Sequence, residues 1–138
     1  GAKVDAKMEV EEGVSLAEFA GTKGILYIWI GDYREPSKHL IKEMQEQLAQ
    51  FKKWGGQVVL VSTGNTNPRL LDLPNLNTTC RAPEAKDAMK EAVVSALKLD
   101  FKNDYPLVAL INANGEILFH SKGYSIGLAE QILKIVNK

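Results

Sequence analysis

The residues best placed to do chemistry lie at 31–36, where an apolar run gives way to a polar turn. Asp32, Tyr33, Arg34 and Glu35 crowd together ahead of Pro36. A helix starting here leaves its first backbone N–H groups without partners, and such a start attracts negative charge. Two readings stand side by side. In one, the cluster lines a cleft that binds a peptide or a small acidic ligand, with Arg34 supplying charge. In the other it is a solvated hinge, in which Asp32 caps the helix and Glu35 favours its dipole. Cys80 is the sole cysteine. It is a candidate reactive thiol or intermolecular disulfide partner, weighed against the inert role that a lone cysteine more often has.

Other constellations carry less. His39 and His120 have no Cys, Asp or Glu partners at metal-ligand spacing, so neither a metal nor another cofactor is expected. Ser37 and His39 lie near Asp32, but on a helix residues two apart face away from each other, which does not support a hydrolytic triad. Trp29 and Trp54 read as packing residues. Lys+Arg and Asp+Glu both total 17, and the balance argues against a nucleic-acid partner. The longest apolar run is far short of the ~20 residues a membrane helix needs. One cysteine forms no internal disulfide and does not fix the redox compartment. No signal peptide is recognised, but Gly1 in place of Met leads us to expect a longer native chain with a leader or another domain upstream.

The elements that must position the 31–36 turn follow from periodicity. Residues 25–30 are all apolar, with aromatic and β-branched members, between Gly24 and Gly31. They predict a buried strand. From 37 to 54 the period changes: Leu40, Ile41, Met44, Leu48 and Phe51 mark one helix face, and Gly55 and Gly56 stop it. Residues 58–61 predict a second buried strand. Residues 62–83 hold Gly64, Pro68, Pro74, Asn75, Asn77 and Pro83 and read as irregular, with a helical turn at 69–73. A second helix is expected from Glu84 to about Leu97. Residues 107–111 and 116–120 flank an Asn114-Gly115 turn and predict an antiparallel hairpin, followed by a last helix over about 126–136. Upstream, Ser15 and Glu18 have capping-box spacing, and residues 1–13 read as a loose tail with a short edge strand near 8–10. The order gives an α/β sandwich around a mixed sheet of about four or five strands, the first two parallel.

That order, with its local wording, resembles the thioredoxin fold. It looks most like the thiol-disulfide oxidoreductase and alkyl hydroperoxide reductase/thiol-specific antioxidant branch. The stretch SLAEFAGTKGILYIWIG (residues 15–31) is similar to that family's entry into its first core strand. DYPLVALINANGEILFHSKGY (residues 104–124) is similar to its cis-proline loop, hairpin and following glycine. A helical insertion before the proline is also typical of the branch. The resemblance implies a cis bond between Tyr105 and Pro106, and a loop that in active relatives pairs with substrate backbone. It also implies where this chain departs. Redox-active members carry C-x-x-C at the start of the first long helix, because exchange needs one thiolate to attack and a second to resolve the mixed disulfide. Here the matching residues are Tyr33 and Pro36, so Y-R-E-P stands in its place.

The sequence therefore predicts a three-layer thioredoxin-like domain over residues 14–138 whose dithiol activity is lost. The expected role is a binding module that uses Asp32, Tyr33, Arg34, Glu35, Pro36, Tyr105 and Pro106 to hold an extended peptide, a protein partner or a neighbouring domain. The resemblance points to a periplasmic or secreted setting. The alternative is a single-cysteine oxidoreductase acting through Cys80.

Overall fold

Strand β3 (Ile25–Gly31) is buried along its whole length and forms the middle of a five-stranded sheet. The computed structural model describes residues 1–63, 76–81 and 87–137, with 76–81 described through the backbone. On one side β3 pairs in parallel with β4 (Gln57–Thr63), which pairs in parallel with β5 (Leu76–Arg81). On the other side it pairs antiparallel with β6 (Leu107–Ile111), which continues antiparallel into β7 (Ile117–Lys122). The strand order is thus β5-β4-β3-β6-β7.

A continuous apolar strand must be covered on both faces. Leu26, Ile28 and Ile30, with Val58, Leu60, Val108 and Leu110, point into one core. Helices α2 (Glu35–Glu46), α3 (Leu48–Trp54) and α5 (Leu128–Val136) cover it with Leu40, Ile41, Met44, Phe51, Leu128 and Ile132. The alternate residues Ile25, Tyr27 and Trp29, with Val59, Val61, Leu107 and Ala109, point into a second core. Helices α1 (Leu16–Ala20) and α4 (Ala88–Leu97) cover that one with Leu16, Ala20, Met89 and Val93. The period-2 alternation of strands builds three layers directly from the sequence.

Four expectations need correction. Residues 62–83 do not lack regular structure, because β5 lies within them as an edge strand. An edge strand needs no apolar run, and Leu-Asn-Thr-Thr-Cys-Arg carries none, so the asparagines read as loop. The helical turn expected at 69–73 lies outside the described residues. The expected single helix over 37–54 is two, broken at Gln47 (φ −111°, ψ 25°), whose N–H reaches the carbonyls of both Glu43 and Met44. The start of the next helix is set by Asp87, which accepts from the Lys90 N–H. The 1–13 segment is not loose. Val4 is buried and donates its N–H to the Gly115 carbonyl. Lys3 bridges Glu116, and β1 (Glu9–Glu11) pairs antiparallel with β2 (Val14–Ser15). The capping box at Ser15 is present: its side chain takes the Glu18 N–H while Glu18 reaches back.

Candidate functional site

The turn after β3 is tight. Gly31 (φ 61°) and Tyr33 (φ 60°) are both left-handed, and the Tyr33 N–H donates to the Ile30 carbonyl at 3.0 Å. For Tyr33 this backbone costs about 1 kcal/mol or more. Ser37, buried in the first turn of α2, donates its hydroxyl to the same carbonyl at 3.0 Å. The strand end and the helix start are thereby fastened at one oxygen. Tyr33 packs its ring against the α2 side core, and burial pushes its phenol above the ordinary value. The Lys38 ammonium stands 5.8 Å from the ring centre.

Asp32 does not cap the helix as the solvated-hinge reading expected, although Glu35 does stand in its first turn. Arg34 occupies the N-cap position without a side-chain cap, and Asp32 instead binds the Arg34 guanidinium at 2.7 Å. Both are exposed, so the pair is worth about 0–1 kcal/mol. Glu35 opens the first turn and lies 3.7 Å from His39. Pro36 has no N–H to offer and the Glu35 carboxylate opposes an incoming anion, so this start is a poor trap for a free anion. It is better suited to an uncharged backbone.

The second wall comes from β6. Because Trp29 faces Leu107 in the antiparallel register, the residues just before Leu107 rise beside the turn. The Tyr105–Pro106 bond is cis. Pro106 is buried and its carbonyl accepts the Gly123 N–H at 2.9 Å. The Tyr105 ring lies on Gly31 so closely that a Cβ there would come within 2.6 Å of Cδ2. The sequence-predicted residues Asp32, Tyr33, Arg34, Glu35, Pro36, Tyr105 and Pro106 thus lie at the same end of the sheet, and the contact between the two segments is that of the Tyr105 ring on Gly31.

Residues that sequence reasoning missed hold Tyr105 from behind. Phe101 meets its ring edge-on at 5.2 Å, and Lys90 donates to its hydroxyl at 3.2 Å. Lys90 sits in the first turn of α4, where Asp87 caps the helix by accepting the Lys90 backbone N–H with one carboxylate oxygen and takes the Trp29 indole N–H at 2.8 Å with the other. The Trp29 ring stacks on Tyr27. The only signal for this chain in the sequence was Asp87 three residues before Lys90, an N-cap spacing hidden by the run of helix formers upstream.

A second brace lies on the opposite face. Glu43, from α2, accepts the Tyr124 hydroxyl at 2.5 Å and the Gly127 and Ala129 N–H groups at 3.0 and 3.1 Å. It thereby caps α5 from another helix. Desolvation pushes the Glu43 carboxyl up, but these three donors and the nearby His39 outweigh it and hold the group below its ordinary value. The same hydrogen bond, with burial and the charges of Glu43 and Glu46, pushes the Tyr124 phenol up to about 12. His39 stacks on Tyr124 with ring centres 5.4 Å apart.

Cys80 is not in the turn. It lies in β5, level with Ser62 of β4, which is itself level with Gly31. Two strand spacings, about 10 Å, separate its backbone from the turn. His120 sits on β7 opposite Ala109, away from His39. Among the described residues no group of three His, Cys, Asp or Glu could hold a metal, and no helix is long and apolar enough to cross a membrane.

Comparison with solved structures places this geometry. A protein described as the thiol:disulfide interchange protein DsbE from Chlorobium tepidum aligns with a TM-score of 0.63 at 16% identity, over 98% of this chain and 95% of that one. A secreted thiol-disulfide isomerase from Corynebacterium glutamicum aligns with a TM-score of 0.60 at 11% identity, over 91% and 77%. The Xanthomonas campestris bacterioferritin comigratory protein, studied for alkyl peroxide reduction, aligns with a TM-score of 0.60 at 16% identity, over 90% and 83%. At these identities the likeness is one of fold, and the fold is thioredoxin-like. No curated protein sequence matches significantly. The AhpC/TSA family model matches residues 2–120, and with that match spanning most of its length the chain belongs to the AhpC/TSA family.

Proposed function

We propose that this domain is a redox-inactive member of its family that binds an extended peptide or partner segment between the 32–36 turn and the Tyr105–Pro106 loop. One observation carries the reading: a phenol and a pyrrolidine, at Tyr33 and Pro36, occupy the turn, while the sole cysteine lies two strands away. Thiol exchange needs a thiolate that attacks and a leaving sulfur, and neither residue can serve. Backbone recognition needs no thiol. The turn and the proline loop supply main-chain groups at a sheet end, where an extended chain can pair in the manner of an added strand. An exported setting is part of the same proposal, supported by the secreted relative.

Titration of isotope-labelled protein with a panel of extended peptides tests this. Amide shifts are expected at 32–36 and 105–106; shifts confined to other surfaces end the proposal. In a dithiothreitol-driven insulin reduction assay no turnover above buffer is expected.

A second reading keeps a place because Cys80, Ser62 and Gly31 share one row across the sheet. A single-cysteine oxidoreductase would work through Cys80 at the same end as the turn. It requires an accessible, reactive thiol. Alkylation of Cys80 no faster than a free thiol, with Cys80→Ser indistinguishable from the parent, removes it.

A further inference from the structure

Behind Tyr105 lies a groove of about 440 Å³, lined by Lys90, Glu91, Val94, Phe101, Lys102 and Asn103. That volume lies within the range of small-ligand sites. Its walls combine an apolar floor, at Val94 and Phe101, with two ammonium groups and one carboxylate, leaving a net positive charge. Lys90 is the ordered cation of the three charges. Its ammonium sits 5.8 Å from the Phe101 ring centre and 5.7 Å from that of Tyr105, and it donates to the Tyr105 hydroxyl at 3.2 Å. An ammonium has three donors, and no carboxylate among the described residues lies within ion-pair distance of this one. The Tyr105 hydroxyl accepts from Lys90 and keeps its own hydrogen to donate. A carboxylate arriving here would meet one strong donor and one neutral donor already oriented, with an aromatic surface for its alkyl stem. Tyr105 also ties this groove to the turn, since its other edge rests on Gly31.

We infer that the cleft selects peptides that carry a carboxylate beside the residue seated on Tyr105, with Lys90 and Lys102 receiving that carboxylate and Phe101 its stem. The inference rests on the peptide-binding reading above and adds the class of peptide. Arg34 and Lys38, the cations beside the turn, lie on the far side of Gly31 from this groove, and Arg34 is already paired with Asp32. Glu91 lines the same groove and weakens the attraction without cancelling it, since Lys90 and Lys102 outnumber it in the lining. The carboxylate can come from an acidic side chain or from a peptide C-terminus.

The test is a nuclear magnetic resonance titration of the intact chain with four short peptides sharing one apolar extended sequence. Three have blocked ends and carry Glu, Gln or Lys at one central position; the fourth carries Gln and a free C-terminal carboxylate. The Glu peptide should bind about fivefold more tightly than the Gln peptide, and the Lys peptide more weakly still. Its extra shifts should fall at 90–94 and 101–105, and the preference should shrink as salt rises. If the fourth peptide matches or exceeds the Glu peptide, the carboxylate source is a chain terminus. Lys90→Gln with Lys102→Gln should abolish the advantage of the two carboxylate peptides over the blocked Gln peptide, since Glu91 is then the charge left in the groove. Because Lys90→Gln also loosens Tyr105, Lys102→Gln alone, at an exposed position, should give a partial loss with an unchanged melting temperature. Glu and Gln peptides that bind equally to the parent, with shifts still at 32–36, overturn this inference and leave the binding reading standing. Absence of shifts at 32–36 with every peptide overturns both.

Discussion

At Gly31 two requirements coincide. Its φ of 61° favours a residue without a Cβ, and the Tyr105 ring occupies the space a Cβ would take. Gly31→Ala should therefore cost about 1–3 kcal/mol and push Tyr105 off the turn. Chemical denaturation reads the first effect and amide shifts at 105–106 read the second; an alanine variant as stable as the parent would show that the ring yields freely. Gly31 was visible in the sequence only as the end of an apolar run. Nothing local announced that a residue 74 positions later would lie on it, because that contact follows from the β3–β6 register. Asp32 was misread for a related reason. Its spacing suits a cap, but Tyr33 turns left-handed, and the actual N-cap position falls to Arg34. Tyr33, Pro36 and the proline loop were legible because their positions relative to a strand end are set by a few neighbouring residues.

Between elements, two carboxylates do the joining. Asp87 fastens α4 to β3 through the Trp29 indole. Asp87→Ala removes a helix cap and leaves a buried N–H short of that partner, at about 2–3 kcal/mol together. Denaturation with tryptophan fluorescence should show the loss, and Asp87→Asn should recover part of it. Glu43 joins α2 to α5. Its carboxyl is held below the ordinary 4.5 in the folded chain, so the stability it adds is present above that value and lost as pH falls through the folded value. Glu43→Gln should flatten the acid limb of a stability–pH profile, though only in part, since Glu116 is lowered as well, chiefly by the Asn112 side chain. Tyr124 runs the other way. Its phenol is raised from 10 to about 12, so its contribution persists below about 10 and fades as pH rises through 12. Tyr124→Phe should flatten the alkaline limb, measured in the same thermal scans. Helix identities were readable from period and glycine stops, but the break at Gln47 was not. Leu48 and Phe51 continue the apolar face of α2 across it, so the pattern gave no sign of interruption.

For the whole molecule, the unbroken apolar runs of β3, β4 and β6 were enough to read an α/β sandwich, because such a strand must bury both of its faces, and the resemblance supplied the three layers. The edges were harder. β5 carries too little apolar sequence to stand out, and the N-terminal segment is held by backbone pairing that composition does not encode. Val4 reaches so near Gly115 that a Cβ there would meet the Val4 carbonyl oxygen at 2.1 Å. The fastening of α2 has a consequence of a different kind. Its start is tied through Ser37 to Ile30, and its middle through Glu43 to α5. None of those ties uses the side chain of Tyr33 or of Pro36. Apart from the packing of the Tyr33 ring, the scaffold around the turn is therefore held by groups outside those two positions, and on the redox-inactive reading proposed above a dithiol should be installable by grafting. A variant with Tyr33→Cys and Pro36→Cys, in a Cys80→Ser background, should fold with a melting temperature near the parent's. Mass spectrometry should find its two thiols closing into a disulfide, and insulin reduction should rise above the buffer rate. A well-folded variant that stays silent would mean that thiol exchange on this scaffold needs more than two sulfurs at positions 33 and 36.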